Sequence, residues 1–245
     1  GANLTGANFT GATITGVSFT NATGLTLAQL ASTGLSLTGI SLPGVDLSNQ
    51  TFGAVNLTGC DLSGVRFTNS DLSNVNLTGC NLAHADFTGA TLTNATIANA
   101  SLAGATGLTS GQVAATNKNW GGTRFDDSSV SFAGFNFTGY TVGSAHFARL
   151  DLHGANLAVR GLIGADFTGA NLTGTAMWWS DLTAAKLTGA NLTNATLNAS
   201  ALSVATLTGA NLTGANLTGA RADGASFADA VGLTRSQVLS LNHNW

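Results

Sequence analysis

A large apolar residue falls at every fifth position from Leu187 to Leu217: Leu187, Leu192, Leu197, Leu202, Leu207, Leu212 and Leu217. Two residues before each Leu sits a small one: Ala185, Ala190, Ala195, Ser200, Ala205, Ala210 and Ala215. The residue between them is mostly Asn or Thr. This alternation sends Ala190 and Leu192 to one side of the backbone and Asn191 to the other. A period of five fits neither the helical 3.6 nor the strand period of two, so the pattern predicts a repeat architecture. The Gly that recurs two residues after the Leu offers a place to turn a corner. No coil of such a chain buries its own apolar residues; the neighbouring coils do so.

The same pattern runs through three blocks. The first carries Leu4, Phe9, Ile14 and Phe19, the second runs from Leu37 to Leu102, and the third from Phe132 to Phe227. The phase breaks at residues 22–34, 105–127 and 230–245. Each break contains Gly-Leu-Thr, at 24–26, 107–109 and 232–234, and a Gln three residues after the Thr: Gln29, Gln112 and Gln237. Thr offers its hydroxyl to free backbone donors at the next turn, so each break predicts a short Thr-capped helix that protrudes from the coil or caps it. Like residues recur in steps of twenty: Phe67 and Phe87, Phe147 and Phe167, then Phe227, and Cys60 with Cys80. Four pentapeptides per coil follow, with like side chains stacked at the spacing of adjacent strands, about 4.8 Å.

The motif Ala-Asn-Leu-Thr-Gly at 170–174, 210–214 and 215–219, and its start at 190–193, closely resembles the pentapeptide-repeat family. The resemblance implies an all-β fold, a right-handed quadrilateral β-solenoid, here as a single domain over 1–245 with the large central residue and the small residue pointing inward. The family includes inhibitors and protectors of type II topoisomerases that mimic DNA, a role that requires a strongly acidic surface.

Charge argues against that role. Charged residues are 8% and the net charge is −3, too little to imply a nucleic-acid partner. No apolar run approaches the ~20 residues of a membrane helix, so no membrane insertion is expected. A neutral Asn/Thr surface suits an extracellular or cell-surface protein. The chain opens directly in the repeat, as a mature secreted protein or a fragment would. Counted in twenties, one side gathers Asp46, Arg66, Asp86, His146, Asp166 and Lys186, and its neighbour holds Asp61, Asp181 and Arg221. A third side holds Asp71, Thr91, Asp151, Asn171, Asn191 and Asn211. The fourth carries no charge: Asn56, Asn76, Thr96, Asn136, Asn156, Thr196 and Asn216.

No catalytic constellation, phosphate loop, cofactor motif or metal-ligand set is visible, so the sequence reads as non-enzymatic. Cys60 and Cys80 are expected inside as free thiols. His84, His146, His153 and His243 are isolated surface positions. Met177 fills an inward slot and sends Trp178 and Trp179 outward, where they meet either the interruption around 105–127 with its Trp120 or an external partner or sugar. Arg160 stands where a small inward residue belongs, which predicts a backbone bulge. Ala222 replaces a central Leu and should thin the core near the C-terminal end.

The functional expectation is a self-assembling structural protein. A solenoid that starts in full repeat leaves the backbone of its first coil unpaired, at Gly1, Ala2, Asn3 and Leu4. The segment 230–245 parallels 105–120, and inside the chain the latter is followed by further sequence after Trp120. A second copy docking its first coil behind Leu241, His243 and Trp245 would recreate that arrangement. A head-to-tail contact of this kind does not close, so it gives a filament. The alternative is a binding module that uses the uncharged Asn/Thr side for carbohydrate or ice.

Overall fold

The structure, a computed structural model, describes residues 1–14, 16–33, 37–53 and 55–242. It forms two compact units, Gly1–Asn119 with Thr123–Val130, and Trp120–Gly122 with Ser131–Trp245. Both are built as right-handed quadrilateral β-solenoid coils. In each, the polar residue of a pentapeptide makes a parallel bridge to the residue twenty further on. Asp46–Arg66–Asp86 and Asn56–Asn76–Thr96 are ladders of the first unit; Asn171–Asn191–Asn211 and Ala176–Thr196–Asn216 belong to the second. Four pentapeptides therefore make one coil, and a corner follows every bridge. The ladder has a direction. The amides of Leu57 and Gly59 donate forward to Asn76 O and Thr78 O, both at 2.9 Å, while the amide of Asn76 donates back to Val55 O at 3.0 Å.

The corner is a four-residue turn, closed by bonds such as Cys60 N–H to Leu57 O at 3.1 Å. Its third residue takes a positive φ, 69° at Gly59 and 56° at Asn69. Glycine adopts this region freely and Asn tolerates it; β-branched and bulky residues do not. Val159 (φ 57°), Trp179 (φ 56°) and Val204 (φ 50°) occupy it nonetheless. Val204 is exposed, so no burial offsets its strain. Val204→Gly is expected to stabilise the chain by about 1 kcal/mol, the relief of left-handed strain less the extra freedom of the unfolded glycine. Thermal melting followed by circular dichroism should show the gain as a rise of roughly 2–4 °C.

The inward columns pack on themselves. Phe67 and Phe87 stack with centroids 5.3 Å apart, and Phe147 and Phe167 at 5.4 Å. Ser200 Oγ bonds within its own corner, to Leu197 O at 2.7 Å, but other polar groups in the small inward column are satisfied one coil back. Ser70 Oγ donates to Leu47 O at 2.7 Å and Thr175 Oγ1 to Leu152 O at 2.8 Å. The thiols of Cys60 and Cys80 do the same to Leu37 O and Leu57 O. Both cysteines are buried and free, as the sequence suggests. The facing Cys60 sulfur and burial push the Cys80 thiol far above its usual range.

The three interruptions are the three expected helices, α1 (Leu27–Ala31), α2 (Ser110–Ala114) and α3 (Arg235–Leu239). Thr26, Thr109 and Thr234 are their N-caps, each in a reciprocal capping box with Gln29, Gln112 or Gln237. The Gln does a second job. Its Nε2 donates to two carbonyls at a corner one coil back: Leu4 and Ala7, Phe87 and Ala90, Leu212 and Ala215. The side-chain amide thus takes the place of a backbone donor where the helix leaves the coil.

Two expectations change. The interruptions do not occupy whole slots of the count in twenties: Ser18 bridges Ser41 and Ser101 bridges Arg124, each 23 residues on. A count in twenties therefore does not carry across them, and the charged ladders are Asp46–Arg66–Asp86 in one unit and His146–Asp166–Lys186 in the other. Arg160 makes no bulge. Gly161 keeps its bridge to Asp181, and Asp181 N–H donates to Arg160 O at 2.9 Å. The strain is avoided at the side chain, which stays half-buried and bonds Ala158 O through Nε at 3.2 Å. Among the described residues no helix is long and apolar enough to cross a membrane.

Candidate functional site

The three capped helices allow a comparison inside one chain. Leu30 of α1 and Val113 of α2 are each 1% exposed, whereas their counterpart in α3, Val238, is 45% exposed. The coil that covers the first two helices also bonds the backbone beside them. Phe19 and Asn21 amides donate to Ser41 O and Pro43 O, and Leu102 and Gly104 amides to Arg124 O and Asp126 O. At α3 the corresponding donors are Phe227 and Asp229. Their amides make no backbone bond among the described residues. The volumes agree: the cavity beneath α2, lined by Ile97, Leu102, Leu108 and Val113 among others, is about 10 Å³, at most the space of one water. Its counterpart at α3 is about 340 Å³ and is lined by Ala222, Ala225, Phe227, Leu233, Val238 and Leu241. Ala222 stands where Ile97 stands in the covered copy, so the core is thinned where the sequence indicates.

Of the residues expected at this end, Leu241 is half-buried and lines the cavity; His243 and Trp245 lie outside the described residues. In the first coil, Gly1, Ala2 and Asn3 are exposed and Leu4 is half-buried. Leu4 N–H bonds Thr23 O at 2.8 Å and Thr23 N–H bonds Ala2 O at 2.9 Å, so the coil is paired on its inner edge. On its outer edge the carbonyls of Asn3, Thr5, Asn8 and Thr10 accept no backbone bond among the described residues. In later coils the same positions, such as Asn76 and Thr78, accept from the coil before. Phe227 and Asp229, whose amides lack a backbone bond among the described residues, are not singled out by the sequence. Aligning Thr109 with Thr234 and asking which amides the covered copy bonds would have found them.

The Trp pair lies on a corner of the second unit. Met177 is fully buried, and Trp178 and Trp179 point outward with 41% and 66% of their surface exposed. Trp120 does not meet them, contrary to the expected packing; it is buried among Phe132, Phe135, Phe137 and Tyr140, with centroids 4.5 to 6.0 Å away. The aperiodic stretch around Trp120 hid its inward phase. The corner one coil back carries Val159, exposed, whose amide bonds Trp178 O at 3.0 Å.

Charge on the remaining surface alternates in sign. Arg66 Nη1 lies 2.9 Å from Asp46 Oδ2, with Asp86 next in the ladder. Asp166 sits between His146 at 4.0 Å and Lys186 at 3.5 Å. Ser48, whose amide donates to Asp46 Oδ1 at 3.0 Å, holds Asp46 below the usual carboxylate range, and the hydroxyl and amide of Thr88 do so for Asp86. For Asp166 burial pushes upward, but Thr168, Lys186 and His146 together outweigh it. A ladder that interleaves acids with bases offers no run of negative charge. Among the described residues no group of three His, Cys, Asp or Glu could hold a metal ion.

Two family profiles match the sequence. One, described as a pentapeptide repeat region, covers residues 33–106; the other, pentapeptide repeats in eight copies, covers 1–23, 162–198 and 200–231. No curated protein matches the chain. Among solved structures, it is similar to HetL, a pentapeptide repeat protein involved in heterocyst differentiation regulation in the cyanobacterium Nostoc sp. strain PCC 7120. Identity is 25%, with 84% of this chain and 94% of HetL covered and a TM-score of 0.34. It is also similar to QnrB1, a plasmid-mediated fluoroquinolone resistance protein, at 18% identity, covering 84% and 88% with a TM-score of 0.34. A pentapeptide repeat protein of the Arabidopsis thaliana thylakoid lumen shares 27% identity over 44% of this chain and 72% of its own, with a TM-score of 0.25.

Proposed function

We propose that this chain, which belongs to the pentapeptide-repeat family, is a non-enzymatic structural protein that assembles head to tail through its terminal coils, at a cell surface or outside the cell. Proteins of this family are generally structural or interaction modules. The observation that carries the reading is the third capped helix. The same motif is covered by a following coil in two places; in the third the Val238 side chain is 45% exposed and the Phe227 and Asp229 amides make no backbone bond among the described residues. The first coil of a second copy supplies what is missing: acceptor carbonyls at Asn3, Thr5, Asn8 and Thr10, and apolar residues such as Phe9, half-buried in the first unit. Donors on one edge and acceptors on the other make the contact polar. It joins unlike ends, as added strands do at a sheet edge, and each addition leaves a new open edge.

Electron microscopy and light scattering across a concentration series test this. Linear oligomers that lengthen with concentration are expected. Val238→Asp should leave the fold intact, because the side chain is already exposed, and should abolish growth. Added to the unmodified chain, the variant should also shorten the polymers, since its first coil still docks but its last coil accepts nothing. Monomers at every concentration, or polymers unaffected by Val238→Asp, would overturn the reading.

A further inference from the structure

The corner at Trp178 and Trp179 departs from the repeat in four adjacent ways. Neighbouring corners run Leu-Thr-Gly-Ala, as at 187–190; here two successive coils read Leu-Ala-Val-Arg (157–160) and Met-Trp-Trp-Ser (177–180). Val159 and Trp179 both sit in the left-handed region at the position that suits glycine. Such strain costs on the order of 1–3 kcal/mol per residue and persists where something over-determines it. The ladder bonds of the corner impose it here as they do at the exposed Val204, so what sets this corner apart is the large side chains it presents outward.

Arg160 completes the set. Two ladder bonds bracket it, Val159 N–H to Trp178 O and Asp181 N–H to Arg160 O, so it lies directly beneath the Trp179–Ser180 step. Its Nε is held by Ala158 O, which fixes the fork of the guanidinium. Arg66, Arg124, Lys186 and Arg221 each have an aspartate within 3.5 Å; no carboxylate among the described residues lies within ion-pair distance of Arg160. Asp181, the nearest along the ladder, gives its carboxylate to the Thr183 amide instead. The ladder before this corner, Asn136–Asn156–Ala176–Thr196–Asn216, carries no charge that competes.

We propose that Val159, Arg160, Trp178 and Trp179 form a docking site for an acidic peptide segment of a partner protein. A carboxylate of the segment bridges the Arg160 fork, the pairing this planar cation favours. An adjacent apolar side chain lies on the Trp pair and Val159. Trp and Arg are the residues that dominate binding energy at protein interfaces, and here the outward Trp pair stands beside a half-buried Arg160 that has no carboxylate within ion-pair distance among the described residues.

Selection of a random short-peptide library on the full chain, with a W178A/W179G chain as counter-selection, tests the site. W179G places glycine where the backbone already favours it, so the variant is expected to fold, and circular dichroism checks that it does. Enriched peptides should carry Asp or Glu beside an aromatic or aliphatic residue. They should blue-shift the tryptophan emission, and their affinity should fall at least tenfold in Arg160→Gln. Basic or uncharged enriched sequences would overturn the proposal, as would affinity indifferent to Arg160→Gln or no enrichment over the counter-selected chain. Tryptophan-dependent binding of cellohexaose without acidic peptides would overturn it in favour of a glycan. None of these outcomes depends on head-to-tail assembly, which Val238→Asp reports separately.

Discussion

Trp120→Ala should destabilise the second unit by about 3–5 kcal/mol, the range for emptying a large aromatic site in a packed core. Trp120 is fully buried and is the shared member of a ring cluster with Phe132, Phe135, Phe137 and Tyr140. Those rings also contact one another, Phe135 and Phe137 at 4.8 Å, so they cannot close the hole without giving up contacts they already make. The Trp120 amide bonds Thr141 O at 2.8 Å and survives the substitution, so the loss reads the side chain alone. Chemical denaturation followed by near-ultraviolet circular dichroism should show it. Trp120→Phe should recover more than half. A loss under 1 kcal/mol would mean that the cluster is loose, contrary to its burial.

Gly107→Ala should cost about 2–5 kcal/mol, combining left-handed strain with a backbone clash. Gly107 has φ 70°, and a Cβ there would stand 2.4 Å from Thr88 N and 2.6 Å from Thr88 Cα. Neither atom belongs to a side chain that could swing away. Gly24 and Gly232 meet Thr5 and Thr213 in the same way. The glycine of Gly-Leu-Thr is therefore what lets the chain lift off one coil into the helix while touching the coil beneath. Gly134→Ala is the control: its φ is similarly positive but nothing lies within 4 Å, so only the strain should appear. Equal losses at the two positions would remove the clash from the argument.

These two residues mark the boundary of what the sequence reveals. The five-residue spacing of Leu187 to Leu217 and the steps of twenty at Phe67 and Phe87 specify the coil, because each inward slot is filled by size alone. Thr109 and Gln112 identify a capped helix, because the capping box is local. The two bonds from Gln112 to a corner one coil back are not local, and neither is the covering of Val113. Val113 and Val238 occupy the same motif, yet the packing of the chain around them leaves one buried and the other 45% exposed. Trp120 and the Trp178–Trp179 pair show the same limit. The regular repeat gives the pair its outward phase, whereas Trp120 lies in a stretch with no phase to read. Arg160 makes no bulge because a slot does not dictate the backbone: a long side chain leaves the slot and spares the ladder.

The 23-residue coils carry a consequence for how such a chain can vary. A pentapeptide solenoid has a reading frame of five, and three added residues shift it. Placed within a plain run, the shift would crowd every later Leu into the small inward slot, leave only Gly for the large central one and send every Asn to a corner. At Thr26 and Thr109 the frame is restored within the same coil, because a single helical turn takes up the excess and a glutamine bonds the corner it leaves behind. Gly-Leu-Thr-x-x-Gln is thus a frame corrector, a place where length can enter the repeat while every downstream residue keeps its side.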